Sequence, residues 1–340
     1  MKLLLAVLIF RATAAPYTLV TEPGQGLAAI YSFLNSAQHT IDITIYELDD
    51  PAFQQYLATQ AAAGVTVRVI LDQNLEHGNN QSAYAFLSAN GVQVHWANPV
   101  YAATHQKTIT IDGTQSAILT LNLTPRYYAT DRDFAVIDTD PQDVAAIEAT
   151  FQADFTNAPV TPSSGDNLVW SPTNSASAIL GLINSAQHSL QIENEEMSDT
   201  PVVNALAAAA QRGVNVRITM TNTGNAYESE WNQLAAAGAG VSTYQPGATL
   251  YIHAKVILAD DTSAFVGSQN FSATSLTRNR ELGLVIHDAA IVSSLTATLA
   301  ADFLGGAPWN NPRACPGSDR PHPFSAVTCA PTPRASPSRS

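Results

Sequence analysis

His105-Gln106-Lys107-Thr108-Ile109-Thr110-Ile111-Asp112 is followed, 148 residues later (253 − 105), by His253-Ala254-Lys255-Val256-Ile257-Leu258-Ala259-Asp260. Both stretches carry the pattern His-x-Lys-x-x-x-x-Asp, and the chain around them is duplicated too. Asn35-Ser36-Ala37-Gln38-His39 recurs as Asn184-Ser185-Ala186-Gln187-His188, and Gly64-Val65-Thr66-Val67-Arg68 as Gly213-Val214-Asn215-Val216-Arg217, both at an offset of 149 (184 − 35). One deletion reconciles the two offsets, so one unit is written twice. Ala158-Pro159-Val160-Thr161-Pro162-Ser163-Ser164-Gly165 supplies the boundary. The expected organisation is a first half at 15–158, a linker at 159–168, a second half at 169–304 and a tail at 305–340.

Within each half, helical and extended patterns alternate. An amphipathic segment ends at Asn35, and Thr40 to Tyr46 alternates as a strand does. Helical stretches are expected over Ala52–Ala63 and Asn79–Ala89, with the strand Val65–Leu71 between them. Thr108–Ile111 and Ala117–Leu119 read as a hairpin turning at Asp112-Gly113. A strand at Phe134–Ile137 and a helix at Pro141–Phe155 close the unit, and the second half repeats the order through a helix at Ala289–Phe303. The fold class is α/β, in two related halves. A pseudo-two-fold axis between them would bring equivalent strand ends together at a shared cleft.

In a strand, side chains two residues apart share a face. His105 with Lys107, and His253 with Lys255, are thereby expected to project together. An ammonium beside an imidazole suits a phosphate, because the lysine neutralises non-bridging oxygens while the imidazole attacks phosphorus or moves a proton. Seventeen residues after each histidine stands an asparagine, Asn122 or Asn270 (122 − 105 = 270 − 253). Twenty-eight residues after each stands a carboxylate, Asp133 or Glu281 (133 − 105 = 281 − 253). Asparagine can donate to a phosphate oxygen, and a carboxylate can accept from the far imidazole nitrogen and fix its tautomer. Asp112 and Asp260, beyond the strand, are read as supports of local structure.

The sequence resembles the phospholipase D superfamily, whose members carry two such motifs, each followed by Gly-Ser-x-Asn. The likeness covers about residues 25–303 and is full in the second copy, with Gly267-Ser268-Gln269-Asn270. The first copy has Leu119-Thr120-Leu121-Asn122, where Thr120 keeps the hydroxyl and Leu119 is bulkier than glycine. The resemblance implies two homologous halves, each a mixed β-sheet flanked by helices. It also implies a two-step reaction through a phosphohistidine, with His105 as nucleophile and His253 as acid and base. Lys107, Lys255, Asn122 and Asn270 would hold the phosphate, aided by Thr120 and Ser268, while Asp133 and Glu281 orient the imidazoles. No metal and no cofactor are called for. A secreted enzyme cleaving or exchanging a phospholipid headgroup is the expectation; a metal-independent nuclease and an inactive phosphate-binding module are the alternatives.

The chain has 340 residues and a net charge of −13, from 28 acidic and 15 basic residues. Such a field repels polyanions and argues against nucleic acid as a partner. Only Lys2, Lys107 and Lys255 are lysines. Residues 1–14, with Lys2, an apolar run from Leu3 to Phe10 and Ala12-x-Ala14, read as a secretory signal peptide, which places the protein in a secreted or periplasmic setting. Cys315 and Cys329 are then expected to form one disulfide in a proline-rich tail. Expected partners are a phospholipid or other phosphodiester substrate, with peripheral membrane contact allowed, and the chain is expected to be a monomer. Glu193, Glu195, Glu196 and Glu47 are taken as a solvated acidic face, with a place in the cleft as the alternative. Tyr127, Tyr128, Trp96 and Trp231 fit either a lipid surface or the core. His39 and His188 are assigned to capping or packing, and His77, His95, His287 and His322 to the surface.

Overall fold

The computed structural model describes residues 16–309. The signal-peptide reading at 1–14 and the Cys315–Cys329 pair lie outside the described residues. The first seven strands are β1 (Tyr17–Glu22), β2 (Thr40–Ile45), β3 (Thr66–Leu71), β4 (Gln93–Trp96), β5 (Thr108–Ile111), β6 (Gln115–Leu119) and β7 (Asp131–Asp138). The second set is β8 (Leu168–Ser171), β9 (Ser189–Glu193), β10 (Asn215–Thr221), β11 (Gly240–Tyr244), β12 (Tyr251–Ile252), β13 (Val256–Ala259), β14 (Ser263–Gly267), β15 (Glu281–Ile286) and β16 (Ala307–Pro308). The first sheet runs β1-β7-β6-β5-β2-β3-β4 and the second β8-β15-β14-β13-β9-β10-β11-β16, the same order strand for strand with β16 added at one edge. Both are mixed: β2 with β3, and β9 with β10, are parallel, and the hairpins β5–β6 and β13–β14 antiparallel.

Helices α1 (Ala28–Leu34), α2 (Pro51–Ala62) and α3 (His77–Ala89) cover one face of the first sheet; α4 (Pro141–Phe155) takes the other. In the second, α5 (Ser175–Ser185), α6 (Thr200–Gln211), α7 (Glu228–Ala236) and the short α8 (Ala273–Thr277) cover the outer face, and α9 (Ala289–Gly305) the inner. Aspartates start the matching helices: Asp50 caps α2 and Asp199 caps α6, while Asp140 and Asp288 cap α4 and α9. Each offers its carboxylate to the free N–H groups of the first turn.

The inner faces of the sheets meet. Ile118, Phe134 and Val136 from the first pack with Val256, Val266 and Leu282 from the second, flanked by Ile147 of α4 and Leu295 of α9. The stretch before β8 is tied down, since Asp143 Oδ1 accepts from the backbone of Asp166 and Asn167 and Trp170 Nε1 donates to Ser163 O. The second half also runs past 304: β16 pairs with β11, and the Trp309 ring lies 4.9 Å from that of Trp231. Among the described residues no helix is long and apolar enough to cross a membrane.

Just before each motif the chain crosses into the opposite sheet. Thr104 bridges Arg280 in parallel, and β12 pairs in parallel with the start of β7 at Asp131 and Arg132. Two ion pairs, one buried and one partly buried, lock the crossing. Arg132 reaches Asp302 (Nε–Oδ2 2.5 Å), and Arg280 reaches Asp154 (Nη2–Oδ1 3.0 Å). Both arginines and both aspartates stand 148 apart (280 − 132 and 302 − 154), so these are one interaction made twice, each time between halves.

Candidate active site

His105-Gln106-Lys107 and His253-Ala254-Lys255 are not inside strands; each forms the extended link between the crossing and the hairpin that follows. The side chains still alternate, so Ala254 enters the central core while His253 faces the cleft. His105 Nδ1 lies 3.0 Å from Glu281 Oε2 and 3.1 Å from Ser268 O. His253 Nδ1 lies 2.9 and 3.1 Å from the two oxygens of Asp133. The pairs are exchanged: each half's histidine is held by the other half's carboxylate. Because every partner of Nδ1 is an acceptor, Nδ1 carries the hydrogen and Nε2 is the nitrogen left for chemistry. Both imidazoles line one open cavity of about 660 Å³.

The lysines are fully buried, and each ammonium donates back to its own motif, Lys107 to His105 O (2.8 Å) and Lys255 to His253 O. Beyond that they differ. Lys107 Nζ sits 5.0 Å over the Tyr46 ring, which also meets His105 edge-on at 4.6 Å. Lys255 Nζ instead donates to Glu195 Oε2 at 3.0 Å, and that oxygen lies 3.5 Å from His253 Nε2. Tyr46 and Glu195 are equivalent positions (195 − 46 = 149), so the repeat puts a ring over one lysine and a carboxylate on the other. Burial, aided by Lys255, lowers Lys107 from 10.5 to about 7. Burial and Lys107 lower His105, keeping it neutral. Burial would raise Glu281 and Glu195, but the hydrogen bonds and charges around them, led by His105 for the first and Lys255 for the second, together outweigh it and hold both below the usual range.

Of the other sequence-assigned residues, Asn122 and Asn270 line the cleft, with Asn270 Nδ2 donating to Glu196 at 3.2 Å. Thr120 and Ser268, assigned to substrate, are turned inward. Thr120 Oγ1 donates to Asp133 Oδ1 (2.5 Å) and accepts from Phe134 N, while Ser268 Oγ accepts from Leu282 N. They steady the carboxylate strands. Asp112 accepts from the backbone N–H groups of Gln38, His39 and Thr40, and Asp260 from those of Gln187, His188 and Ser189. Both sit in the left-handed region (φ +50° and +53°), where aspartate is among the few tolerated side chains. What recurs in His39 and His188 is their backbone. The Leu119 and Gly267 difference lies away from the cleft: Leu119 belongs to the core under α1–α3, and a Cβ on Gly267 would come within 2.5 Å of Gly283 Cα.

Comparison with known proteins fits this geometry. A profile described as "Cardiolipin synthase, PLD-like domain" matches residues 30–155 and again 179–303. The chain belongs to the phospholipase D superfamily. As a superfamily member it is similar to cardiolipin synthase A of Pseudomonas putida strain GB-1 (27% identity over 81% of this chain) and to cardiolipin synthase 1 of Bacillus cereus (24% over 84%). It spans 66% of the length of each. The fold is shared with phosphatidylserine synthase of Haemophilus influenzae Rd KW20 (TM-score 0.65, 14% identity, 84% of this chain and 86% of that one). Polyphosphate kinase of Porphyromonas gingivalis is another match in fold (TM-score 0.67, 15% identity, 84% and 46%).

Several residues of this superfamily site escaped the sequence reading. Glu195, taken as part of a solvated face, is in the cleft on Lys255; Glu196 and Glu47 line the same cavity, Glu47 paired with Arg126. Glu193 is fully buried beside Asp302, and burial raises it well above the ordinary carboxylate range. The offset of 149 from Tyr46 was the available signal for Glu195. Of the four aromatics, Tyr127 lines the cleft, Tyr128 donates to Asp50, Trp231 is buried, and Trp96 stacks between His77 (4.3 Å) and Tyr84 (4.7 Å). His77 is thus a packing residue and not merely a surface one.

Proposed function

We propose that this chain breaks and re-forms the phosphodiester of a phospholipid headgroup, passing the phosphatidyl group through a phosphohistidine to water or an alcohol. The observation that carries the reading is the exchange of carboxylates, which sets two imidazoles on one cleft, each held at Nδ1 with Nε2 left for chemistry and each followed two residues on by a buried ammonium group. His105, kept neutral, is the nucleophile: Nε2 bonds to phosphorus as the bond to the leaving alcohol breaks, and His253 Nε2 gives that alcohol its proton. His253 then takes a proton from the incoming water or alcohol, whose oxygen displaces His105. Lys107 and Lys255 neutralise the phosphoryl oxygens, with Asn122 and Asn270 at the rim. Glu195 must leave Lys255 for the phosphate to dock.

Phospholipid is favoured as substrate by the names of the relatives and by the net charge of −13, which disfavours a polyanion. The export signal read at residues 1–14 belongs to the same proposal and would place the reaction outside the cytoplasm. The test is purified protein in chelator with phosphatidylglycerol vesicles and, separately, plasmid DNA. Glycerol release is expected, with cardiolipin as co-product for transfer or phosphatidic acid for hydrolysis. His105→Ala and His253→Ala should each remove it with unfolding curves like the wild type's. Nicking without glycerol release, or activity surviving either substitution, would overturn the assignment.

A further inference from the structure

Next to His253, and sharing Asn122, Tyr127, Asp131 and His253 with the large cleft, is a small chamber of about 20 Å³ lined also by Glu22 and Asp133. That is room for one ion or one water. Ligand atoms of Asp131, Asp133 and His253 all lie within 4.8 Å of one another. Glu22 is 4% exposed, is register partner of Asp133 across β1 and β7, and has an Oε1 with no hydrogen-bond partner. Asn122 Oδ1 is buried and unpartnered as well. The neighbouring cation, Arg132, gives its hydrogen bonds to Asp302 and to the backbone oxygen of Glu22, not to the side-chain oxygens of the cluster.

The repeat shows that the fold does not need these acids. The positions equivalent to Glu22 and Asp131 around His105 are Ser171 and Asn279, with Glu281 in the place of Asp133. There Ser171 donates to Ser175 and Asn279 donates to Glu281 at 2.9 Å, so His105 is held by one carboxylate with neutral side chains in the place of Glu22 and Asp131. Beside His253 there are three carboxylates.

We propose that Glu22, Asp131, Asp133 and His253 Nδ1 form a site for one divalent transition-metal ion of the Zn²⁺ type. Three carboxylate oxygens and one imidazole nitrogen suit such an ion. Metal on Nδ1 takes the place of the hydrogen shared with Asp133, and that one hydrogen of the neutral ring moves to Nε2. The ring then cannot accept a proton from water or alcohol. Bound metal is therefore an off-switch for the site, a consequence that rests on the proposed phosphodiester chemistry, whereas the binding itself does not.

Calorimetric titration of the full chain with Zn²⁺ tests the site without any activity. One equivalent should bind, and Glu22→Ser and Asp131→Asn, which install the residues the second half already uses, should each weaken binding at least tenfold while melting like the wild type. Co²⁺ should give the visible absorption of a nitrogen- and oxygen-bound ion, lost in His253→Gln. Absence of stoichiometric binding, or affinity unchanged in both variants, would overturn the proposal. Glycerol release that continues with the site filled would overturn the switch alone.

Discussion

Replacing Lys107 with methionine should stabilise the folded chain while destroying the site. The ammonium is fully buried, and burial followed by Lys255 brings it from 10.5 to about 7. At ~1.4 kcal/mol per pH unit, the interval of 3.5 (10.5 − 7) corresponds to about 5 kcal/mol against the charged form in the folded chain. Below pH 7 both folded and unfolded chains carry the proton and that cost is present in full. Between about 7 and 10.4 the unfolded chain binds more protons, so wild-type stability rises with pH. The contacts Lys107 makes, with His105 O at 2.8 Å and the Tyr46 ring at 5.0 Å, offset roughly 2–3 kcal/mol. Lys107→Met should therefore gain about 2–3 kcal/mol at pH near 6, and the gain should shrink steadily toward pH 9. Urea unfolding at three pH values measures this. A variant less stable than wild type near pH 6, or a difference that does not change with pH, would refute the reasoning.

Asp154→Ala strands the buried guanidinium of Arg280 and should cost about 3–5 kcal/mol in urea unfolding; a loss below about 1 kcal/mol would show that the ion pair does not hold the halves together. Asp112→Ala removes the acceptor for three backbone N–H groups, a loss of about 1–2 kcal/mol by analogy with a helix cap. Those same N–H groups hold Asp112 below its usual range in spite of burial. Its contribution is thus complete above about pH 4 and fades as pH falls through the lowered value, so a wild-type advantage undiminished at strongly acid pH would contradict it. Glu195→Gln frees Lys255 of its competitor and should tighten inhibition by inorganic phosphate several-fold; weaker inhibition would show that Glu195 does not occupy the anion's place.

The repeat made most of the fold legible, because both copies must encode the same helix starts, hairpin and edge order. Thr108–Ile111 and Pro141–Phe155 were readable to the residue, since an Asp-Gly turn and an Asp-Pro cap punctuate them. The edge strands β1 and β4 were not, being poorly marked in the local pattern, with no residue of β4 fully buried. Spacing showed that Asp133 and Glu281 belong with the histidines but not which with which, because equal distances within each copy fit either pairing. Exchange is decided by the crossing at Thr104 and β12, where the partners are distant in sequence. Glu195 was misread for the same reason: a run of glutamates looks solvated until Lys255, 60 residues away, is placed on it. Arg132, Asp154, Arg280 and Asp302 stood at the repeat's own offset and could have been found by asking which charged residues recur.

The exchanged contacts also say what either half would be if cut free. A first half alone would carry His105 without Glu281, Asp133 without His253, Arg132 without Asp302 and Asp154 without Arg280. Every one of these orphans finds its complement in a second copy of the same fragment, where His105 would face Asp133 and Arg132 would face Asp154. The interface is thus self-complementary, and the present chain has the design of a symmetric dimer whose subunits were later joined by a tether and allowed to diverge at Tyr46 and Glu195.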